Sequence, residues 1–259
     1  MSTFLFDQII FGPVKSRRLG ISLGVNLLPT NSKVCSFDCI YCECGWTPKS
    51  RQQKAVLPTR VEVKLKMEEK LTEMNKSNEL PDVITFAGNG EPTLHPEFEG
   101  IINDTIELRN RLTPRARIAV LSNATMLHKH SVIRALLKVE DNIQKLDSAF
   151  GETIRKIDCP TSRFKLNKVV ENLKKFEGKV IIQTLFLKGN FRNEIIDNTT
   201  EEELSAWMKL LTEIKPSKVM IYTIDRDTAA SGLEKVKLEV LHHIAYCIRA
   251  IGFEAQVSG

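Results

Sequence analysis

Apolar residues along the chain fall either into short runs or into longer stretches where they return every three or four positions. The short runs lie at 21–28, 82–86, 117–121, 143–146, 179–187 and 218–224, and all but the fourth are rich in valine or isoleucine, as strands are. Helical periodicity occupies 60–76, 97–112, 130–139, 164–177, 200–214 and 234–251. Two of these helices carry extra support. Thr59 and Glu62 stand at capping-box spacing, where a hydroxyl and a carboxylate satisfy the exposed donors of a helix start. Leu204, Trp207, Met208 and Leu211 form one stripe, which predicts core packing. Residues before position 21 read as irregular.

Six successive β/α units predict an α/β fold, a partial (β/α)6 TIM-like barrel, short of the eight units that close a full barrel and open on one side to a large substrate. A single domain over 1–259 accommodates them, with 226–259 as a C-terminal extension. In such folds chemistry collects on loops that leave the C-terminal ends of strands. A cysteine-rich loop, 29–47, follows the first strand, "AGNGEPTLHP" the second, "SNAT" the third and "DSAF" the fourth. All the informative segments are thereby expected at one mouth.

Composition narrows the setting. Apolar residues make up 42% of the chain, enough for a full core, and 37 basic against 32 acidic residues leave a net charge of +5. That mild surplus favours an anionic ligand without requiring nucleic acid. The N-terminal stretch does not read as a signal peptide and no run of about 20 apolar residues occurs, so the expectation is a cytoplasmic protein without membrane spans. In a reducing compartment, clustered thiols point to metal or redox chemistry before disulfides.

Cys35, Cys39 and Cys42 are spaced C-x3-C-x2-C. Three thiolates on a tight loop can hold three irons of a cubane [4Fe-4S] cluster and leave the fourth iron open to a substrate. A closed zinc site, the alternative, normally needs a second cysteine or histidine pair, and Cys159 and Cys247 stand alone. Cys44 is left as a free loop cysteine or a redox thiol, and too few cysteines remain for an auxiliary cluster.

The motif Cys35, Cys39, Tyr41, Cys42, followed by Asn89, Gly90, Glu91 and Pro92, resembles the radical S-adenosylmethionine (SAM) superfamily. "FGPVKSRRLGISLGVNLLP", "LSNAT" and "IKPSKVMIYT" extend the resemblance to its wybutosine-synthase-like branch. The resemblance implies one [4Fe-4S] cluster on Cys35, Cys39 and Cys42, and SAM as the second cofactor. It implies reductive cleavage of SAM by a reductant such as flavodoxin or ferredoxin. The resulting 5′-deoxyadenosyl radical then takes hydrogen from a substrate that is RNA or nucleotide-like, with a peptide or protein as the alternative and a non-catalytic metal-binding protein as the third reading. By position, Tyr41 is expected near the adenine and Gly88, Asn89, Gly90 and Glu91 near the methionine amino group. Asn89 stands where the superfamily often has glycine.

Other residues have competing readings. Ser122 and Asn123 suit ribose or carboxylate contacts or a helix N-cap, and Asp147 suits a ribose hydroxyl, a substrate amine or a cap. Gln183 points into the barrel if strand alternation favours it. Lys15, Arg17 and Arg18 suit a phosphate or carboxylate, extended by Lys188 and Arg226, or a solvated surface. His95 suits a proton donor or a satisfied turn, and His242 and His243 read as structural.

Overall fold

The computed structural model describes residues 4–16, 18–48 and 56–259. The chain opens with a strand that the hydrophobic pattern does not announce: β1 (Ile10–Ser16) runs antiparallel to β2 (Gly20–Val25). β1 is a sheet-edge strand, largely exposed and containing Pro13, so it has neither an apolar run nor clean alternation. Next comes α1 (Arg60–Ser77), whose capping box is complete: Glu62 N–H donates to Thr59 Oγ1 (3.2 Å) and Thr59 N–H to the Glu62 carboxylate (2.7 Å). The chain continues through β3 (Val83–Phe86), a 3-10 turn (Pro92–Leu94), α2 (Phe98–Leu112), β4 (Arg117–Ser122), α3 (His130–Leu136) and β5 (Asp141–Lys145). Then follow α4 (Gly151–Ile157), α5 (Leu166–Lys174), β6 (Ile181–Phe191), β7 (Glu194–Asp197), α6 (Glu201–Ile214) and β8 (Lys218–Thr223). Last come β9 (Leu233–Lys235), α7 (Leu238–Ala250) and β10 (Ala255–Ser258).

β2, β3, β4, β5, β6, β8 and β10 are parallel neighbours in that order, and β1 borders β2. The two ends of this path, β1 and β10, are not paired, which leaves the curled sheet a half-barrel with a seam. The expected partial barrel is therefore present, with one more parallel strand than expected. β10 makes the C-terminal segment part of the sheet. The helix expected from 234 begins instead at Leu238, because residues 233–235 pair with the protruding end of β6.

Strand alternation builds two cores. On the convex face Ile84, Phe86, Ile118, Val120, Ile182 and Phe186 pack against the helices, including Leu71 and Leu108. Trp207 on α6 is buried there too, and its indole N–H donates to the Leu146 carbonyl (3.0 Å). The other face of the same strands contributes Val83, Ala119, Ile143, Ile181 and Met220, which close with Leu19 into a small apolar floor. Above that floor the concave face turns polar, with Lys145 opposite Gln183 in register and Tyr222 further along β8. The sequence thus makes a lumen that is dry below and chemically equipped at its mouth. Among the described residues, no helix is long and apolar enough to cross a membrane.

Candidate active site

The cysteine loop lies across the mouth and is held by backbone bonds to three other segments. Val34 pairs with the glycine loop, donating to Asn89 O (2.9 Å) and accepting from Glu91 N–H (3.1 Å). Ile40 N–H donates to Ile157 O (2.9 Å), Asp38 N–H to Asp158 O (3.0 Å), and Ile40 O accepts from Ala230 N–H (2.8 Å). Turns then close within the loop, with Cys42 N–H on Cys39 O (3.0 Å) and Gly45 N–H on Cys42 O (3.1 Å).

A buried ammonium ties the two ends of this loop together. Lys33, whose side chain is 2% exposed, donates from Nζ to Gly45 O (2.7 Å) and Asp38 Oδ1 (3.3 Å). Asp38 Oδ1 also accepts from Thr47 N–H (2.8 Å). Burial works against the Lys33 charge, but Cys42, Cys35, Cys39 and Asp38 outweigh it and hold its pKa above the ordinary lysine value. The thiols themselves differ. Burial pushes Cys35 up to about 12 and Cys39 well above a free thiol, whereas a hydrogen bond from Cys44, aided by Lys33, brings Cys42 down to about 6. Cys44 Sγ also lies 3.5 Å from Gly88 O, so it stands between the cysteine loop and the glycine loop.

The glycine loop is fixed by its own side chains. Both Glu91 carboxylate oxygens are used, Oε1 by the Thr93 N–H (3.0 Å) and hydroxyl, Oε2 by Asn123 N–H (2.6 Å). Burial raises the Glu91 pKa against these bonds. Asn89 is fully buried and fully engaged: Oδ1 accepts from Phe6 N–H (2.8 Å), and Nδ2 donates to Phe6 O (2.9 Å) and Pro29 O (2.8 Å). Gly90 has φ +133°, and a Cβ on it would stand 1.9 Å from Val34 O. Only glycine permits the loop to approach the cysteine segment this closely.

At the end of β5 sits a second buried ammonium. Lys145 Nζ lies 2.7 Å from Asp147 Oδ2 and 3.0 Å from Asp158 Oδ1, and 4.1 Å from the centre of the Tyr41 ring. The Tyr41 hydroxyl donates to Asp147, whose other oxygen accepts from Leu185 N–H (3.0 Å). Burial alone would lower the Lys145 pKa, but Asp147, Asp158 and Cys39 raise it well above the ordinary value. Neither Lys33 nor Lys145 is therefore set up as a neutral amine.

The structure thus brings Tyr41, Gly88, Asn89, Gly90, Glu91, Asn123 and Asp147 to one mouth with Cys35, Cys39 and Cys42, and Gln183 shares a strand face with Lys145. Several of these side chains bond within the protein. Ser122 Oγ accepts from Ala124 N–H (3.1 Å), while Asn123 bonds to Ser36 (2.9 Å) and Thr125 (2.7 Å). Lys188 pairs with Asp197 (3.1 Å) and Arg226 with Glu43 (2.8 Å), so the expected extension of an anion site is not formed. His95 is a buried turn residue, bonded to Pro58 O (2.8 Å) and Glu97 N–H (3.1 Å). His242 and His243 are exposed on α7, and Arg17 lies outside the described residues. Sequence reasoning missed Lys33, Asp38, Lys145 and Asp158. Lys145 had a signal in the alternation of β5, which puts it on the face of Ile143.

The family model of the radical SAM superfamily matches residues 32–201. The chain belongs to the radical SAM superfamily. It is 30% identical over 240 residues to a UPF0026 protein of Methanocaldococcus jannaschii, covering 91% of this chain and 70% of that protein. To a UPF0026 protein of Helicobacter pylori J99 it is 32% identical over 232 residues, 85% of this chain and 68% of that one. A protein of Brachyspira hyodysenteriae named GTPase Obg is 31% identical over 224 residues, 85% of this chain, but the match spans only 30% of that longer protein. Among solved structures, a radical SAM methyltransferase from Sphaerobacter thermophilus superposes with a TM-score of 0.69 at 14% identity, covering 92% of this chain and 65% of that one. TYW1 with a lysine-pyruvate adduct superposes with a TM-score of 0.62 at 14% identity, covering 88% and 73%. At that identity the likeness is one of fold.

Membership makes this a radical SAM enzyme, which implies a [4Fe-4S] cluster, SAM and an electron donor. Among the described residues, no three Cys, His, Asp or Glu side chains are grouped at metal-binding distance. The fit lies in donor chemistry: three free thiols on one pinned loop, Cys42 brought down to about 6 while burial raises Cys35 and Cys39, and a buried Lys33 ammonium whose charge interacts with all three.

Proposed function

We propose that Cys35, Cys39 and Cys42 hold one [4Fe-4S] cluster, with SAM bound at the barrel mouth between the glycine loop and Tyr41, and that the enzyme acts on an RNA or nucleotide-like substrate. When bound, the cluster supplies the electron that splits SAM into methionine and the 5′-deoxyadenosyl radical, which takes a hydrogen atom from the substrate. The residues of the chain do the rest. Lys33 compensates the negative charge of three thiolates, and Gly90 and Glu91 keep the glycine loop against the cysteine loop. Tyr41, locked to Asp147 beneath Lys145, offers a fixed aromatic wall at the mouth. The apolar floor of Leu19, Val83, Ala119, Ile143, Ile181 and Met220 keeps water from entering the lumen from below.

The observation that carries the reading is the C-x3-C-x2-C loop pinned against the glycine loop at the mouth of a half-barrel in a radical SAM chain. For the nucleotide-like substrate, support comes from the branch resemblance and from the fold shared with TYW1. Lys145 is held here by two carboxylates, Asp147 (2.7 Å) and Asp158 (3.0 Å), of which burial pushes Asp158 up to about 7.

Anaerobic reconstitution tests the cofactor reading: about four irons per chain and reductive release of 5′-deoxyadenosine are expected. Alanine at Cys35, Cys39 or Cys42 abolishes both, whereas Cys44→Ala retains iron. Deuterium transfer into 5′-deoxyadenosine from labelled tRNA supports the substrate class, and transfer from labelled peptides instead would replace it.

A further inference from the structure

The seam between the two ends of the sheet is bridged by the turn of the β1–β2 hairpin. Arg18 stands in that turn, with its N–H donating to Ser16 Oγ (3.3 Å) and its carbonyl accepting from Gln256 Nε2 of β10 (3.1 Å). Leu19, its neighbour, belongs to the apolar floor. From this anchored backbone the side chain reaches Tyr222, where the guanidinium carbon lies 4.6 Å from the ring centre. Tyr222 follows Met220 on the concave face of β8, one layer above the floor.

The guanidinium is incompletely satisfied. Arg18 Nη1 is buried and has no hydrogen-bond partner, and no carboxylate of the described residues pairs with the side chain. The buried cations elsewhere differ from this half-buried arginine: Lys33 has Asp38, Lys145 has Asp147 and Asp158, and Arg109 has Glu140. A buried donor without a partner is costly, so an arginine held in this state is otherwise a liability. The tyrosine ring covers one face of the cation, and a guanidinium binds a planar or tetrahedral anion through paired N–H groups.

We propose that Arg18, backed by Tyr222, is the binding site for an anionic group, a phosphate or a carboxylate, on the molecule that enters the lumen. The proposal rests on the reading of the lumen as the substrate chamber. The glycine loop follows β3, whereas Arg18 stands at the seam between β1 and β10, across the sheet from that loop; Tyr222 reaches from there toward Lys145, Asp147 and Cys39, whose charges act on its hydroxyl. Burial pushes the Tyr222 hydroxyl pKa up, which keeps the tyrosine neutral beside an incoming anion.

The test is the thermal stability of reconstituted protein titrated with inorganic phosphate or with acetate, against chloride at matched ionic strength. A bound anion at ten times its Kd stabilises the fold by RT ln 11, and the midpoint rises accordingly. The expected result is a rise in wild type with at least one anion, reduced in Arg18→Lys and absent in Arg18→Gln, and persisting when SAM is present. A rise with phosphate alone assigns a phosphate group, and one with acetate alone a carboxylate. Because each variant is compared with itself, a change in its own stability does not obscure the readout. Equal rises in wild type and Arg18→Gln, no rise with either anion, or a rise that SAM abolishes would each overturn the proposal. Iron content is read on the same samples, so a protein that takes up no iron refutes the cofactor reading separately from the anion site.

Discussion

Replacing Lys33 by methionine removes a charge while nearly keeping length and volume. The change leaves Gly45 O without its 2.7 Å donor and Asp38 with only the Thr47 N–H on Oδ1, in a loop whose ends those contacts join. A hydrogen bond from a charged donor contributes about 1.5–3 kcal/mol. The partly exposed Asp38 pair adds less than a fully buried pair would, and methionine avoids the desolvation of the ammonium. The sign follows from linkage. The folded pKa stands above the unfolded value, so the charged form is favoured over the neutral amine below the unfolded pKa and this is lost as pH rises through the folded pKa. At neutral pH, where burial keeps Cys35 and Cys39 protonated, Cys42, Asp38 and the hydrogen bond to Gly45 O are the partners that offset burial. At neutral pH the substitution is therefore destabilising, by about 2 kcal/mol, or roughly 4–8 °C in Tm for a chain of this size. The assay is thermal unfolding of cluster-free Lys33→Met and Lys33→Arg, followed by iron analysis after reconstitution. Arginine should restore most of the stability, and methionine should also lower iron retention. A methionine variant that melts with wild type and holds full iron would refute the role given to Lys33.

Gly90→Ala forces a Cβ to within 1.9 Å of Val34 O at a backbone angle unsuited to alanine, so the glycine and cysteine loops should separate; limited proteolysis and iron content read this out. Trp207→Ala empties a buried site and orphans the Leu146 carbonyl, with an expected loss of about 3–5 kcal/mol measured by urea unfolding. Asp104 has its pKa lowered first by the hydrogen bonds of Arg60 (2.6 and 2.9 Å), so its contribution is present above the unfolded carboxylate pKa and is lost as pH falls through the folded one. Arg60→Ala should therefore reduce stability more at pH 7 than in acid, as pH falls through the folded Asp104 pKa, and an equal loss across that range would contradict the ion pair.

The elements that the sequence makes legible are those with a long or repeated apolar signal. The capping box at Thr59 and the Trp207 stripe lie where periodicity puts them. β1, β7 and β9 were hidden because they are short or edge strands whose stability comes from partners remote in sequence, and β10 because four residues next to α7 carry no periodicity of their own. At the site, residue types and loop positions were readable, but occupancy was not. Nothing in "GNGEP" shows that Asn89 is consumed by Phe6 and Pro29, or that Glu91 is consumed by Thr93 and Asn123. Lys33 and Lys145 escaped notice because lysine is ordinarily exposed, and only their pairing with Asp38, Asp147 and Asp158 makes burial tolerable.

Asn89 latches the N-terminal segment by gripping main-chain atoms, since both of its contacts with position 6 are to the Phe6 N–H and carbonyl. The latch is therefore blind to which side chain residue 6 carries. An insertion or deletion between that segment and β1 would slide the main chain past the asparagine. The Phe6 ring, stacked on Phe11 (3.8 Å) and edge-on to Phe4 (5.0 Å), is held by contacts separate from the latch, so the length of the segment and the identity of its aromatic residues are constrained independently.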